Sequence, residues 1–467
     1  MPSFRNELHL NDSEVALALE GEERRQQDGV ELIPSENYTY PEVLELLGSV
    51  FTNKYSEGYP GRRYYGGQEF TDQIENLARQ RACALFRAEH ANVQPLSGSP
   101  MNQAVYLGLL QPGDTILAMD LSHGGHLTHG APVSHMGRLF NFARYKTQPS
   151  NGGAIDFDGL RAMARHVRPK LVLCGYSSYP RDLDYASFKS IADEVGALTM
   201  ADVSHYGGLI AGNALRNPLD AGFDVMTTTS HKTLRGPRGG IVLCRREFAG
   251  KIDASVFPGL QGGPHMNVVA GTAVTLKKAS TSDFQAYAGL VIRNAKVLAE
   301  ALMERGMTLI TGGTDNHMMV VDTVASVGLD GGAAENILDA VGITANKQII
   351  PDDPRPPLKP SGIRLGTPAA TTRGMGEPEM RLIAELIAGS LRSKGDAAVV
   401  KRLRSNSVEM CRAFPVPGIA PALIGGQAAF LFRVRRVARP GVQSAWARHE
   451  GSPGTTGTEI DAVRWTA

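Results

Sequence analysis

The stretch KLVLCGYSSYPRDLDYASFKSIADEVGALTMAD, residues 170–202, decides the fold class. Its ends, KLVLCGY (170–176) and ALTMAD (197–202), are continuous apolar runs, the pattern of strands covered on both faces. Between them YASFKSIADEVG (185–196) supplies a crossover helix. A strand, a helix and a second strand in succession make a parallel crossover unit. The same texture continues outward in both directions. DTILAMD (114–120), RLFNFARY (138–145), FDVMTTT (223–229) and GGIVLCR (239–245) read as strands. FTDQIENLARQRACALF (70–86) and DGLRAMARHV (158–167) read as helices. This alternation predicts an α/β fold with a large, doubly wound, mostly parallel sheet.

After about residue 282 the texture changes. A long helical stretch (284–306) precedes TLI (308–310), MMVVDTV (318–324) and a helix near 331–342. A proline-rich connector, PDDPRPPLKP (351–360), then leads into SGIRLGTPA (361–369). A smaller C-terminal α/β domain is expected over 284–415, after an N-terminal helical arm (1–30) and a large domain (31–283). Residues 416–467 are rich in Gly, Ala, Pro and Arg without periodicity, and a weakly ordered tail is expected there.

Composition narrows the partners. The 48 basic and 47 acidic residues leave a formal net charge of +1, so no nucleic-acid partner is implied. The basic clusters RVRR (433–436) and RHVRPK (165–170) read as solvated faces. The four cysteines are far apart and form no CxxC, which argues against zinc ribbons and redox dithiols. No apolar signal core opens the sequence, and no apolar run is long enough to span a bilayer. A reducing, cytoplasmic location with no membrane partner is expected.

Several segments carry chemistry. In TTTSHKTLRGPRGG (227–240), Lys232 follows hydroxyls and precedes a glycine-rich strip, between two strands. Held at the end of a buried strand, its amine loses hydration, its pKa falls and it becomes a nucleophile; the alternative is an ordinary loop lysine. ADVSHYGG (201–208) closes a strand with Asp202 and His205. An Asp there can hold a protonated ring nitrogen, or can cap a helix. QPLSGSPMN (94–102) sets Ser97, Gly98 and Ser99 at a helix start, suited to a phosphate or to plain capping. HGGHLTHG (123–130) spaces His123, His126 and His129 by three. On a helix that would make a metal face, but Gly124 and Gly125 oppose a helix, so no metal is expected and ring stacking is the better reading. NKYSEGYPGRRYYGG (53–67) crowds tyrosines, arginines and one acid, Glu57. Arg364 in SGIRLGTPA suits a carboxylate clamp or a structural ion pair. A nucleophilic Lys, a strand-end Asp, a phosphate turn, a stacking His and an Arg clamp together are what pyridoxal phosphate requires.

Taken in order, LIPSENYT, TNKYSEGYPGRRYYGG, NVQPLSGSPMN, HGGHLTHG, TTTSHKTLRGPRGG, FPGLQGGP, GGTDNH and SGIRLGTPA resemble the serine hydroxymethyltransferase family, over about residues 30–415. That resemblance implies a pyridoxal-phosphate enzyme of fold type I, the aspartate aminotransferase group. It implies that Lys232 carries pyridoxal 5'-phosphate covalently, Asp202 pairs with the ring nitrogen and His126 stacks on the ring. Ser177 and His205 would lie near the ring hydroxyl. Ser97, Gly98 and Ser99 would bind the phosphate, helped by Gly263 of a second subunit. Arg364 and Ser35 would hold the amino-acid substrate, with Tyr65 and Arg238 close by. Tyr55 and Glu57 would reach in from the partner, making the unit at least a homodimer, and Glu57 would transfer a proton. Leu121, Gly125, Leu127 and Gln348 would line a tetrahydrofolate slot. The implied reaction interconverts serine plus tetrahydrofolate with glycine plus 5,10-methylenetetrahydrofolate.

The chain departs from the family pattern at Ser204, usually Ala, at Tyr206, usually small or aliphatic, and at Gln348, usually Asn. These departures keep rivals in view: a folate-independent threonine aldolase or transaldolase, and an α-methylserine hydroxymethyltransferase. A non-catalytic binding protein on the same scaffold is the remaining alternative, against which stand Lys232, Asp202 and Arg364.

Overall fold

A computed structural model describes residues 4–148 and 152–419. Seven strands make the main sheet: β1 (His90–Asn92), β2 (Thr115–Met119), β3 (Asn141–Tyr145), β4 (Leu171–Gly175), β5 (Leu198–Asp202), β6 (Val225–Thr229) and β7 (Gly240–Cys244). Their order across the sheet is β1-β7-β6-β5-β4-β2-β3. From β6 to β3 every neighbouring pair is parallel, while β7 runs antiparallel to both β6 and β1. The apolar runs bury both faces, as their lack of alternation requires. In β4, Val172 and Cys174 join one core cluster, and Leu171 and Leu173 join another on the opposite face. The crossover helix Tyr185–Val195 starts on Asp184, whose side chain accepts from Ser187 N, and ends on Gly196 at φ 69°. It sets β4 beside β5 with Gly175 opposite Asp202.

Two short elements depart from expectation. RLFNFARY is a strand only from Asn141, because Met136–Leu139 turns as a helix. β1 is three residues long, too short for periodicity to announce it.

A second sheet joins β8 (Thr308–Leu309), β9 (Met318–Asp322), β10 (Asn346–Gln348) and β11 (Gly362–Gly366) in the antiparallel order β8-β9-β11-β10. Its apolar face, including Met319, Val321, Ile363 and Leu365, packs with Leu298 and Leu302 of helix Ser282–Glu304. Ile383 and Ile387 of helix Glu377–Arg392 complete that core. The N-terminal segment is stitched on: Val30–Glu31 pairs in parallel with Ile343–Thr344, and Gly366 N donates to Leu32 O. No helix among the described residues is long and apolar enough to cross a membrane. The tail expected from 416 lies, beyond Ile419, outside the described residues.

These topologies place the cleft. The chain leaves β2 for β3 on one side of the sheet and returns to β4 on the other, which opens a crevice beyond the carboxyl ends of β2 and β4. The loops that follow β2, β4, β5 and β6 carry His126, Ser177, His205 and Lys232.

Candidate active site

Asp202 ends β5 and is buried. Both of its oxygens are occupied. Oδ2 accepts from Asn102 Nδ2 at 2.8 Å and pairs with His129 Nε2 at 3.1 Å. Oδ1 accepts from Ser204 N at 3.1 Å and Ser204 Oγ at 2.6 Å. Burial alone raises a carboxyl pKa, but these donors and the His129 and His126 rings outweigh it and hold Asp202 well below the usual carboxylate range. It does not cap a helix, since the following helix Gly207–Ala211 begins after Tyr206. Ligand atoms of His126, His129 and Asp202 lie within 4.8 Å of one another.

Lys232 sits in the bend between β6 and β7. The bend is pinned from several sides: Ser230 N donates to Gly239 O, Gly236 N to Ser230 O, and Asn37 Nδ2 to Lys232 O at 3.0 Å. Thr233 Oγ1 donates to His205 O and accepts from Gly208 N. The amine itself makes no hydrogen bond or ion pair among the described residues. Desolvation is the largest influence and lowers its pKa to about 8; Asp202 opposes this, while Arg364 and Arg238 reinforce it. Burial and a lowered pKa are what a nucleophilic amine requires.

Arg364 lies on β11 beside Asn346 of β10. Nε donates to Asn346 Oδ1 at 3.1 Å, and Nη1 donates to Ser177 O. No carboxylate pairs with it among the described residues, which removes the structural ion pair as its explanation. Burial lowers its pKa to about 10, so it stays charged at neutral pH and lacks a counter-anion.

Lys232 and Arg364 border one cleft of about 650 Å³. Ser35, Leu121, Gly125, His126, Leu127, Ser177, His205, Lys232, Arg238, Gln348 and Arg364, all expected from sequence, line it. An inner chamber continues from it and brings Gly98, Asp202, Ser204 and Thr229 together with Lys232 and His126. At its end stands the start of helix Gly98–Leu109; Ser97 makes no side-chain capping bond there. A Cβ at Gly125 would come 2.3 Å from Met119 O, which excludes a side chain there, and one at Gly98 would come 3.0 Å from Thr229 Cγ2, a tight contact that Thr229 would have to relieve. Desolvation pushes the His126 pKa down to about 4 and that of His205 well below the usual histidine range. Both rings are therefore neutral at pH 7.

Tyr55, Glu57, Tyr65 and Gly263 do not line this cleft. They gather elsewhere: Tyr55 and Tyr65 meet edge-on at 5.4 Å, and Tyr55 packs against Gly263. Glu57 approaches Gly262 and raises the Tyr65 pKa. Tyr55 and Tyr65 are exposed. From sequence, His129 was read only as one of three spaced histidines, and Asn102 and Thr229 were given no role of their own. All three lie inside the motifs, and only the fold brings them to Asp202 and Lys232.

The family model for serine hydroxymethyltransferase matches residues 8–387. A protein of Rhodopirellula baltica named serine hydroxymethyltransferase is 51% identical over 413 residues, 88% of this chain and 98% of that protein. A protein of the same name from Acidobacterium capsulatum is 50% identical over 411 residues, 88% of this chain and 96% of the relative. A third, from Koribacter versatilis, is 50% identical over 409 residues.

Proposed function

The chain belongs to the serine hydroxymethyltransferase family, and from that premise we propose how its cleft works. It is an enzyme that interconverts L-serine and tetrahydrofolate with glycine and 5,10-methylenetetrahydrofolate. The observation that carries the site assignment is the convergence of Lys232, Asp202 and an unpaired Arg364 on one cleft and its inner chamber.

The residues present fit pyridoxal 5'-phosphate. The ionised Asp202 carboxylate is buried with no Lys or Arg ion-pair partner among the described residues, an arrangement suited to a protonated ring nitrogen. When bound, the cofactor supplies an electron sink for the pair released from the Cα–Cβ bond. Lys232 presents the amine for its attachment, and the neutral His126 ring offers a flat face for stacking. Ser97, Gly98 and Ser99 at the helix start take its phosphate. Ser177 and His205, which line both the cleft and the chamber, would face the ring hydroxyl.

Arg364 takes the carboxylate of serine or glycine, with Ser35 beside it. Leu121, Gly125, Leu127 and Gln348 line the slot for tetrahydrofolate. Glu57, supplied across a homodimer with Tyr55, Tyr65 and Gly263, moves a proton between the serine hydroxyl and folate. The separation of these four residues from the cleft of their own chain, and the exposure of Tyr55 and Tyr65, support that sharing. The four free cysteines accord with a cytoplasmic location.

The test is turnover by the cofactor-loaded protein. Serine consumption that depends on tetrahydrofolate and yields glycine is expected. Cleavage of threonine without folate, together with no folate-dependent use of serine, would overturn the reading in favour of an aldolase.

A further inference from the structure

We propose that Asp352 is a positioning residue that latches the proline-rich segment 351–360 onto the loop after β2, and so sets the width of the slot for the flat pterin ring. This rests on the reading of the outer cleft as the folate site. The two walls of that slot come from distant parts of the chain. Leu121 and Leu127 come from the loop after β2; Ile349, Pro357 and Pro360 come from the segment leading to β11. The segment is closed on itself by Asp353, whose carboxylate accepts from Ser361 N at 2.8 Å, Ser361 Oγ at 2.7 Å and Arg355 N at 3.0 Å. Closure of the segment on itself does not fix its distance from the opposite wall.

The neighbouring Asp352 does. Its Oδ1 reaches across to His123 Nε2 at 3.1 Å and to Lys146 Nζ at 3.2 Å. His123 is a rigid anchor, because its ring is fully enclosed and Nδ1 accepts from Thr147 N at 3.3 Å. That bond leaves the proton on Nε2, where it points at Asp352. His123 ends the short helical turn that begins with Leu121, so pulling on His123 moves one wall directly. Asp352 adopts φ 52°, a left-handed conformation uncommon for a residue with a Cβ. Neither His123 nor Asp352 lines the cleft, so the pair acts on the slot only through the walls it joins.

The test compares unmodified enzyme with Asp352→Ala and Asp352→Asn, both loaded with cofactor. For Asp352→Ala, KM for tetrahydrofolate should rise about tenfold while the serine KM and folate-independent cleavage of a β-hydroxy amino acid stay within about twofold. Asp352→Asn keeps an acceptor and should fall between. Amide hydrogen exchange across 349–360 should quicken in Asp352→Ala without tetrahydrofolate present. An unchanged KM for tetrahydrofolate overturns the latch, and so does an equal loss toward serine and folate. If unmodified enzyme shows no folate-dependent turnover, the folate reading itself fails and the latch falls with it.

Discussion

His205 Nδ1 lies 3.3 Å from His317 Nε2, and the two rings stack with 5.6 Å between centroids and 29° between planes. His317 is fully buried, and its Nδ1 has no partner. An orphaned acceptor costs less than an orphaned N–H, so the shared proton belongs on His317 Nε2. That tautomer leaves His205 Nε2 carrying a proton, a donor on the ring that borders the cleft.

Acid stability follows from the same pair. Desolvation, with Arg364 and Lys232 nearby, pushes the His317 pKa down to about 3, and His205 is also depressed. A histidine whose folded pKa lies below its unfolded value of about 6.5 stabilises fully above that pH and loses the contribution as pH falls toward the folded pKa. Each can cost up to about 1.4 kcal/mol per pH unit in that window. Melting temperature should fall between pH 7 and 5, and His317→Asn should make the fall shallower. Equal slopes in the two proteins would refute this origin.

Covalent loading of the cofactor should report on Lys232. With a pKa of about 8, roughly a tenth of its amines are unprotonated at pH 7. The rate at which apoenzyme takes up pyridoxal 5'-phosphate should climb with pH and level off above about pH 8 to 9. Lys232→Ala should show no slow covalent phase. A rate that continues to climb past pH 10 would mean that the lysine is not desolvated.

Replacing Arg364 should be felt through the substrate carboxylate. Arg364→Ala removes a buried guanidinium whose hydrogen-bond partners among the described residues are Asn346 and the Ser177 carbonyl. A loss of about 2–5 kcal/mol in kcat/KM for serine is expected, carried mainly by KM. Binding of pyridoxal 5'-phosphate, followed by its absorbance, should change little. Serine kinetics within about threefold of the parent would remove Arg364 from the site.

Sharing of the site can be read in mixed dimers. Lys232→Ala and Glu57→Gln are each expected to be inactive alone. Co-expressed, they form a hybrid in which one site has an intact Lys232 and an intact Glu57, so about half of the hybrid's sites recover activity. No recovery, despite hybrid formation shown by tag pull-down, would place Glu57 in its own chain's cleft.

The parallel sheet was legible because buried strands such as Leu171–Gly175 and Thr115–Met119 are largely apolar runs between turn signals. Lys232, Asp202, His126 and Arg364 drew attention in the sequence because each stands in a motif whose neighbours are unusual for its charge, and the fold brings them to one cleft and its inner chamber. What pairs with them was not. Asn102 sits in a helix 100 positions from Asp202, and His317 lies 112 positions from His205; such contacts exist only once the sheet has closed. The Asp352 to His123 link spans 229 positions and left no periodic trace. Asn346–Gln348 escaped notice as a strand because three polar residues show no alternation to read.

The pairing of Val30 with Ile343 also has a consequence for synthesis. The N-terminal segment leaves the ribosome roughly 300 residues before its partner strand is made, a wait of about 15–60 s at ordinary elongation rates. Through that interval Ser35, held by neighbours of this pairing, has no wall to stand on, and Arg364 has not yet been translated. The amino-acid end of the cleft is therefore the last part to exist, so a nascent chain can build the lysine-bearing sheet long before it can grip a substrate.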